Sequence, residues 1–162
     1  MRDLNKIAAE CMAELDALQI PYREVENFVV NSRAKSRWGR CQTSASGKFI
    51  ISISDRLLME DASMNGLKNT IIHELLHTCA GCMNHKAKWK FYADKVNRAY
   101  GYDIKRTSTA DEKGVKEVVR KRKINHKYVC EKCGQVVTRE RDRRFENKYH
   151  CGICGGNFVK EF

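Results

Sequence analysis

The chain has 162 residues and a mass of 18.7 kDa, enough for one domain or for one domain with a small appendage. Apolar residues make up 42% and charged residues 31%, with a single proline, which excludes collagen-like and low-complexity chains. The formal charge of +11 points to a polyanionic partner more than to any fold.

In chain order, Leu4, Ile7, Ala8, Cys11, Leu15 and Leu18 repeat at three- and four-residue spacings, which predicts an amphipathic helix over 2–19, ended before Pro21. Val25 to Val30 is rich in β-branched residues, and Phe49, Ile51 and Ile53 alternate with polar neighbours, so two strands are expected there, the second over 48–54. Between them lie the basic residues Arg33, Lys35, Arg37 and Arg40 and the turn-forming Ser44-Ala45-Ser46-Gly47. Ser54 or Asp55 can cap a short helix through Met59, Leu67 to Cys79 reads as a longer one, and 86–99 as a third that ends before Gly101. From Thr107 the composition shifts to a connector. Residues 1–110 carry 17 basic and 12 acidic side chains, net +5, whereas 111–162 carry 14 and 8, net +6. No apolar run approaches the roughly 18 residues of a membrane span, and Met1-Arg2-Asp3-Leu4-Asn5-Lys6 lacks the apolar stretch of a signal peptide. A cytoplasmic protein with no membrane partner is expected, in which five histidines and eight cysteines argue for metal before disulfides.

His73-Glu74-Leu75-Leu76-His77 sits inside the strongest helical segment, the context a His-Glu-x-x-His metalloprotease motif requires. At 3.6 residues per turn, side chains four apart lie about 40° from each other around the axis, so both imidazoles can hold one Zn²⁺. Glu74, one residue on from His73, is placed to reach a metal-activated water as a general base. The third ligand should arrive from beyond the helix. His85 is the nearest candidate, and three neutral imidazoles would leave a fourth position open, as a catalytic rather than structural site needs. Cys79 and Cys82 are rivals for that role, read here as packing thiols.

Cys130-x-x-Cys133 and Cys151-x-x-Cys154 stand seventeen residues apart, the spacing of a four-cysteine structural zinc site, with glycines after each pair for tight turns. His126 and His150 are the possible substitutes for one cysteine. Val136, Val137, Tyr149, Phe158 and Val159 supply short strands in a segment of about 35 residues, too small to hold itself by a core alone, so metal is expected to fold it. The basic residues Arg120, Lys121, Arg122, Lys123 and Lys127, then Arg139, Arg141, Arg143 and Arg144, are interleaved with Tyr128, Phe145 and Tyr149. That pattern suggests contact with nucleic acid through phosphates and base stacking.

The order of Ser36-Arg37-Trp38-Gly39-Arg40-Cys41, a strand ending Ile51-Ser52-Ile53-Ser54, the histidine motif, His85 with Trp89 four residues on, and the four-cysteine ribbon resembles the Spartan-related SprT-like family from about residue 5 to the end. The family's frequent His-Gly is here His85-Lys86. The resemblance implies an α+β fold: a zincin-like metallopeptidase core of helices on a small sheet over 1–106, a basic connector over 107–127 and a zinc ribbon over 128–162. It implies two Zn²⁺ ions, one catalytic on His73, His77 and His85 with Glu74 as base, and one structural on the four cysteines. It further implies proteolysis of DNA-bound or DNA-crosslinked proteins, a role in crosslink repair, association with the nucleoid in a prokaryote, and a substrate backbone paired along the strand at 48–54. A monomer is expected, and the preference for single- or double-stranded DNA stays open. The oxyanion partner is also open, with Tyr92 a conceivable donor. The competing reading is a non-enzymatic zinc-ribbon protein that binds nucleic acid, such as a transcription accessory factor. A third is a peptidase indifferent to nucleic acid.

Overall fold

The computed structural model describes residues 1–33, 36–115, 123–142 and 144–162, so Lys35, Arg120, Lys121, Arg122 and Arg143 lie outside the described residues. The chain divides into two compact units, Met1–Val118 and Val119–Phe162. Among the described residues no helix is long and apolar enough to cross a membrane.

In the first unit, helix α1 (Leu4–Ala17) starts where the Asp3 carboxylate accepts the N–H groups of Asn5 and Lys6, and it buries Leu4, Ile7, Ala8, Cys11 and Leu15. Three strands follow: β1 (Val25–Asn31), β2 (Gly39–Thr43) and β3 (Phe49–Ser54). They form one sheet in the order β1-β3-β2, with β1 parallel and β2 antiparallel to β3. The alternation read in the sequence holds in β3, where Phe49, Ile51 and Ile53 are buried. Strand β2 was not expected, because Gly-Arg-Cys-Gln-Thr has no apolar alternation. It forms by pairing with β3 and packing against the helix that follows.

That pairing corrects one expectation. β3 is bonded on both sides, so residues 48–54 have no free edge to offer a substrate; the edge beside the histidine helix belongs to β2. Trp38 and Ser44 pair inward, with the N–H of Ser54 and the carbonyl of Lys48. The alternation of an antiparallel ladder therefore turns the backbone groups of Gly39, Cys41 and Thr43 away from the sheet.

A short 3₁₀ turn (Asp55–Leu58) buries Leu57 and Leu58 before helix α2 (Met64–Thr78). The Ser63 hydroxyl accepts the Gly66 N–H, which starts α2 three residues ahead of the expected Leu67. α2 is the central element: Leu67, Ile71, Ile72, Leu75 and Leu76 are all fully buried in one core with Leu15, Ile51, Ile53 and Val96. Each such aliphatic side chain contributes about 1.5–3 kcal/mol of burial free energy, so this helix is held from several directions at once. Helix α3 (Ala87–Tyr100) buries Trp89, Ala93 and Val96 and ends at Gly101. After it, Asp111–Lys113 forms a 3₁₀ turn locked onto the start of α2, where the Ser63 N–H donates to the Lys113 carbonyl.

The second unit is an antiparallel sheet of β4 (His126–Cys130), β5 (Val136–Arg139) and β6 (Phe158–Lys160) in the order β5-β4-β6. Tyr149, expected in a strand, lies instead just after a 3₁₀ turn at Phe145–Asn147. Tyr128, Phe145 and Phe158 make the small core.

Candidate metal centre

α2 carries His73 and His77 one turn apart, and His85 comes from the loop before α3. Their Nε2 atoms converge: His73 lies 3.2 Å from His77 and 3.0 Å from His85. A tetrahedral ion about 2.1 Å from each nitrogen would hold them roughly 3.4 Å apart, so the donor set fits a zinc ion. The other ring nitrogens fix the tautomers. Nδ1 of His77 lies 2.7 Å from the Cys82 carbonyl and Nδ1 of His73 lies 3.1 Å from that of Lys105. Since a carbonyl can only accept, each Nδ1 is the protonated nitrogen and each Nε2 keeps its lone pair for a metal. Burial, with the neighbouring imidazoles, drives the His73 pKa down to about 3, and burial lowers those of His77 and His85, so all three rings are neutral, as ligands must be. Trp89 packs against the cluster, its ring centroid 4.8 Å from that of His73 and 4.7 Å from that of His85.

Glu74, one residue on from His73, reaches toward β2. It is only 7% exposed, and burial pushes its pKa up to about 7 against the opposing pull of the Cys41 N–H, Arg37 and Lys113. Gly39 makes the approach possible. A Cβ there would sit 2.6 Å from Glu74 Oε1 and 2.7 Å from its Cγ, so any side chain at this position would collide with the carboxylate. Glu74 also faces a cleft of about 280 Å³ between α2, residues 36–39 and residues 103–108, with Lys113 in its wall.

Cys79 and Cys82, the rival ligands, are buried core thiols and lie outside both metal-competent clusters. Cys82 serves the centre through its carbonyl, on His77, rather than through sulfur. Tyr92 packs against the core and does not line the cleft beside Glu74.

In the second unit Cys130, Cys133, Cys151 and Cys154 form the other cluster, with all four sulfurs within 4.8 Å of one another. Cys130 and Cys154 Sγ are 3.5 Å apart, as are Cys133 and Cys151, far beyond a disulfide bond and close to the spacing of thiolates about 2.3 Å from one zinc ion. The N–H groups of Ile153 and Cys154 bring the Cys151 thiol down to about 7. Gly156 closes the cradle, since a Cβ there would meet Cys130 Sγ at 2.9 Å. His126 lies in β4, and His150 Nδ1 contacts the Asn157 side chain at 3.0 Å; neither joins the cluster.

The aromatic residues read as stacking candidates separate. Tyr128 and Phe145 are buried, with the Tyr128 hydroxyl donating to Asp142, because a sheet this small spends its rings on its own core. Tyr149 alone of the three is exposed, at 54%. Among the basic residues, Lys123, Arg139, Arg141 and Arg144 are exposed, with Arg139 also lying over the Phe145 ring. Lys127 pairs with Glu161 at 2.6 Å.

Lys113 and Asn69 are the residues that reading the sequence passed over, and Gly39 entered it only as part of the Ser36-Arg37-Trp38-Gly39-Arg40-Cys41 motif, with no role of its own. A glycine between Trp38 and Arg40, in a strand-like stretch, signals a close approach of backbone to another group. Nothing local marks Lys113.

The sequence profile of the SprT-like family matches residues 8–110, which include all three histidines and Glu74 and leave the four cysteines outside. The protein named Protein SprT-like from Streptococcus pyogenes serotype M18 (strain MGAS8232) is 26% identical over 134 residues, covering 78% of this chain and 83% of that protein.

Proposed function

The chain belongs to the SprT-like family, and on that premise we propose that it is a zinc-dependent endopeptidase with a zincin-like core, acting on proteins bound or crosslinked to DNA. The observation that carries this reading is the convergence of three neutral imidazoles next to a buried carboxylate whose position a glycine in β2 permits.

His73, His77 and His85 would hold the catalytic zinc, and the four cysteines a structural one. A zinc ion held there would supply Lewis-acid chemistry, polarising a carbonyl and lowering the pKa of water. The chain's own residues supply the rest. Glu74 takes a proton from the attacking water on its carboxylate and delivers it to the departing amine. Burial raises its pKa, which favours the carboxyl form in which it carries that proton. The outward backbone groups of Gly39 and Thr43 and the outward carbonyl of Cys41, whose N–H is held by Glu74, bind an extended substrate by adding a strand to the β2 edge, so affinity comes from the main chain rather than from side-chain identity. Trp89 fixes the imidazoles against α3 and keeps water from that side. The net charge of +11 and the exposed Lys123, Arg139, Arg141 and Arg144 support a DNA partner.

The test is cleavage of a DNA-bound protein with and without DNA, wild type beside Glu74→Gln, on protein of known zinc content. Loss of a proton-transfer group costs about 10²–10⁴-fold. We expect cleavage stimulated by DNA at low salt, lost in Glu74→Gln while zinc and DNA binding persist. Full activity of Glu74→Gln would overturn the mechanism. A fully zinc-loaded wild type that binds DNA and cuts nothing would leave the non-enzymatic binder as the answer, and cutting unaffected by DNA the nucleic-acid-independent peptidase.

A further inference from the structure

The cleft beside Glu74 contains a charge that the proposed reaction does not use. Lys113 is only 5% exposed, yet its Nζ has one hydrogen-bond partner among the described residues, the Gly66 carbonyl at 3.1 Å. An ammonium is a three-donor group, and burying it with so little compensation is costly unless something else completes its shell. Asn69, on the same wall, has its side-chain oxygen buried without a partner among the described residues. A half-turn of that amide presents two N–H donors in the oxygen's place. Two incompletely bonded polar groups lining one cavity mark a place built for a polar guest.

The sign of the guest follows from the lining. Arg37 and Arg106 stand exposed on the rim, and neither they nor Lys113 form an ion pair among the described residues. Lys105, the fourth cation, is already bound by Asp103 and Glu112, both at 2.8 Å. Glu74 belongs to the reaction. Among the described residues the four cations of the lining outnumber its two carboxylates, Glu74 and Asp103, so the space of about 280 Å³ is net positive, and at about nine water volumes it admits one extended side chain and no folded element.

We propose that this cleft is a substrate-binding pocket that selects an acidic side chain, Glu or Asp, close to the scissile bond, with Lys113 and Asn69 holding its carboxylate and Arg37 and Arg106 drawing it in. This rests on the endopeptidase reading and adds to it: the β2 edge binds any extended backbone, and the cleft decides which register of that backbone is cut. A carboxylate on Lys113 makes a charge-assisted hydrogen bond away from bulk water, whereas the amide of Gln leaves the ammonium without its counter-charge.

The test uses the full zinc-loaded chain in two arms. In the first, peptides spanning a mapped cleavage site carry Glu, Gln or Lys at each of three positions on either side of the cut. At one position Glu should exceed Gln at least tenfold in kcat/KM, and Lys should fall below both. The Glu-to-Gln ratio should collapse toward one in Lys113→Met and be largely kept in Lys113→Arg. In the second arm the Glu and Gln peptides are titrated calorimetrically into zinc-loaded Glu74→Gln, which reads binding without turnover. Equal rates and equal affinities for Glu and Gln peptides would overturn the pocket and leave the endopeptidase standing. Preferential binding of the Glu peptide by a chain whose wild type cuts nothing would do the reverse. Displacement of the Glu peptide by a short oligonucleotide would make the cleft a phosphate site and also overturn the proposal.

Discussion

Gly39→Ala puts the geometry of the centre to its sharpest test, because it adds one methyl group at a point where none fits. The added Cβ would lie 2.6 Å from Glu74 Oε1, 0.8 Å inside the 3.4 Å at which ordinary contacts begin. Neither partner can retreat freely. β2 is bonded to β3 along its inner side, and Glu74 stands on a helix packed into the core. The carboxylate must therefore swing off the Cys41 N–H by most of an ångström. A displacement of about 1 Å in a catalytic group costs on the order of 10²-fold, or about 2.7 kcal/mol in transition-state stabilisation. The three atoms nearest the added Cβ all belong to Glu74, so zinc content should stay at wild type while kcat/KM for a peptide falls about a hundredfold. The assay is peptide cleavage beside metal analysis on the same preparation. Turnover within about threefold of wild type, with zinc intact, would refute the argument that the Glu74 carboxylate must sit against β2.

Two further outcomes follow from the same structure. Burial lowers the Lys113 pKa from 10.5 to about 8, so the folded protein pays to keep this group charged, and Lys113→Met should be more stable than wild type by about 3 kcal/mol at pH 7. Because the folded pKa is the lower one, that difference is full below pH 8, narrows as pH rises from 8 to 10.5 and is gone above it; denaturant melts across this range measure it, and a pH-independent difference would contradict the assignment. Cys151→Ser removes one of four converging thiolates and should unfold the second unit alone, seen as loss of the Tyr128 and Phe158 signals by NMR while the Trp89 signals persist.

What could be read in the chain without its structure was whatever is encoded locally. The four-residue step between His73 and His77 follows from helix geometry, and the paired Cys-x-x-Cys steps follow from the turns that thiolates need around one ion. The apolar alternation of β3 shows which of its faces is buried. The rest depends on partners distant in the chain. β2 has no strand pattern of its own and exists because β3 and α2 receive it. Residues 48–54 have the better strand sequence for the same reason that they lie in the middle of the sheet, and a middle strand has no edge to lend. Lys113 looks like one more surface cation in a basic stretch, and only its contact with Gly66, 47 residues earlier, shows that it is buried. Tyr128 and Phe145 resemble stacking residues until the small size of their unit is counted against them.

The central claim, that three imidazoles and four thiolates form two separate zinc sites, is tested most directly by counting metal. Wild type and Glu74→Gln should each carry two zinc ions per chain, and His85→Ala should carry one. In that variant the remaining ion, exchanged for cobalt(II), should retain its thiolate charge-transfer bands. A wild type with a single ion bound by sulfur, or a His85→Ala chain that keeps both, would contradict the account.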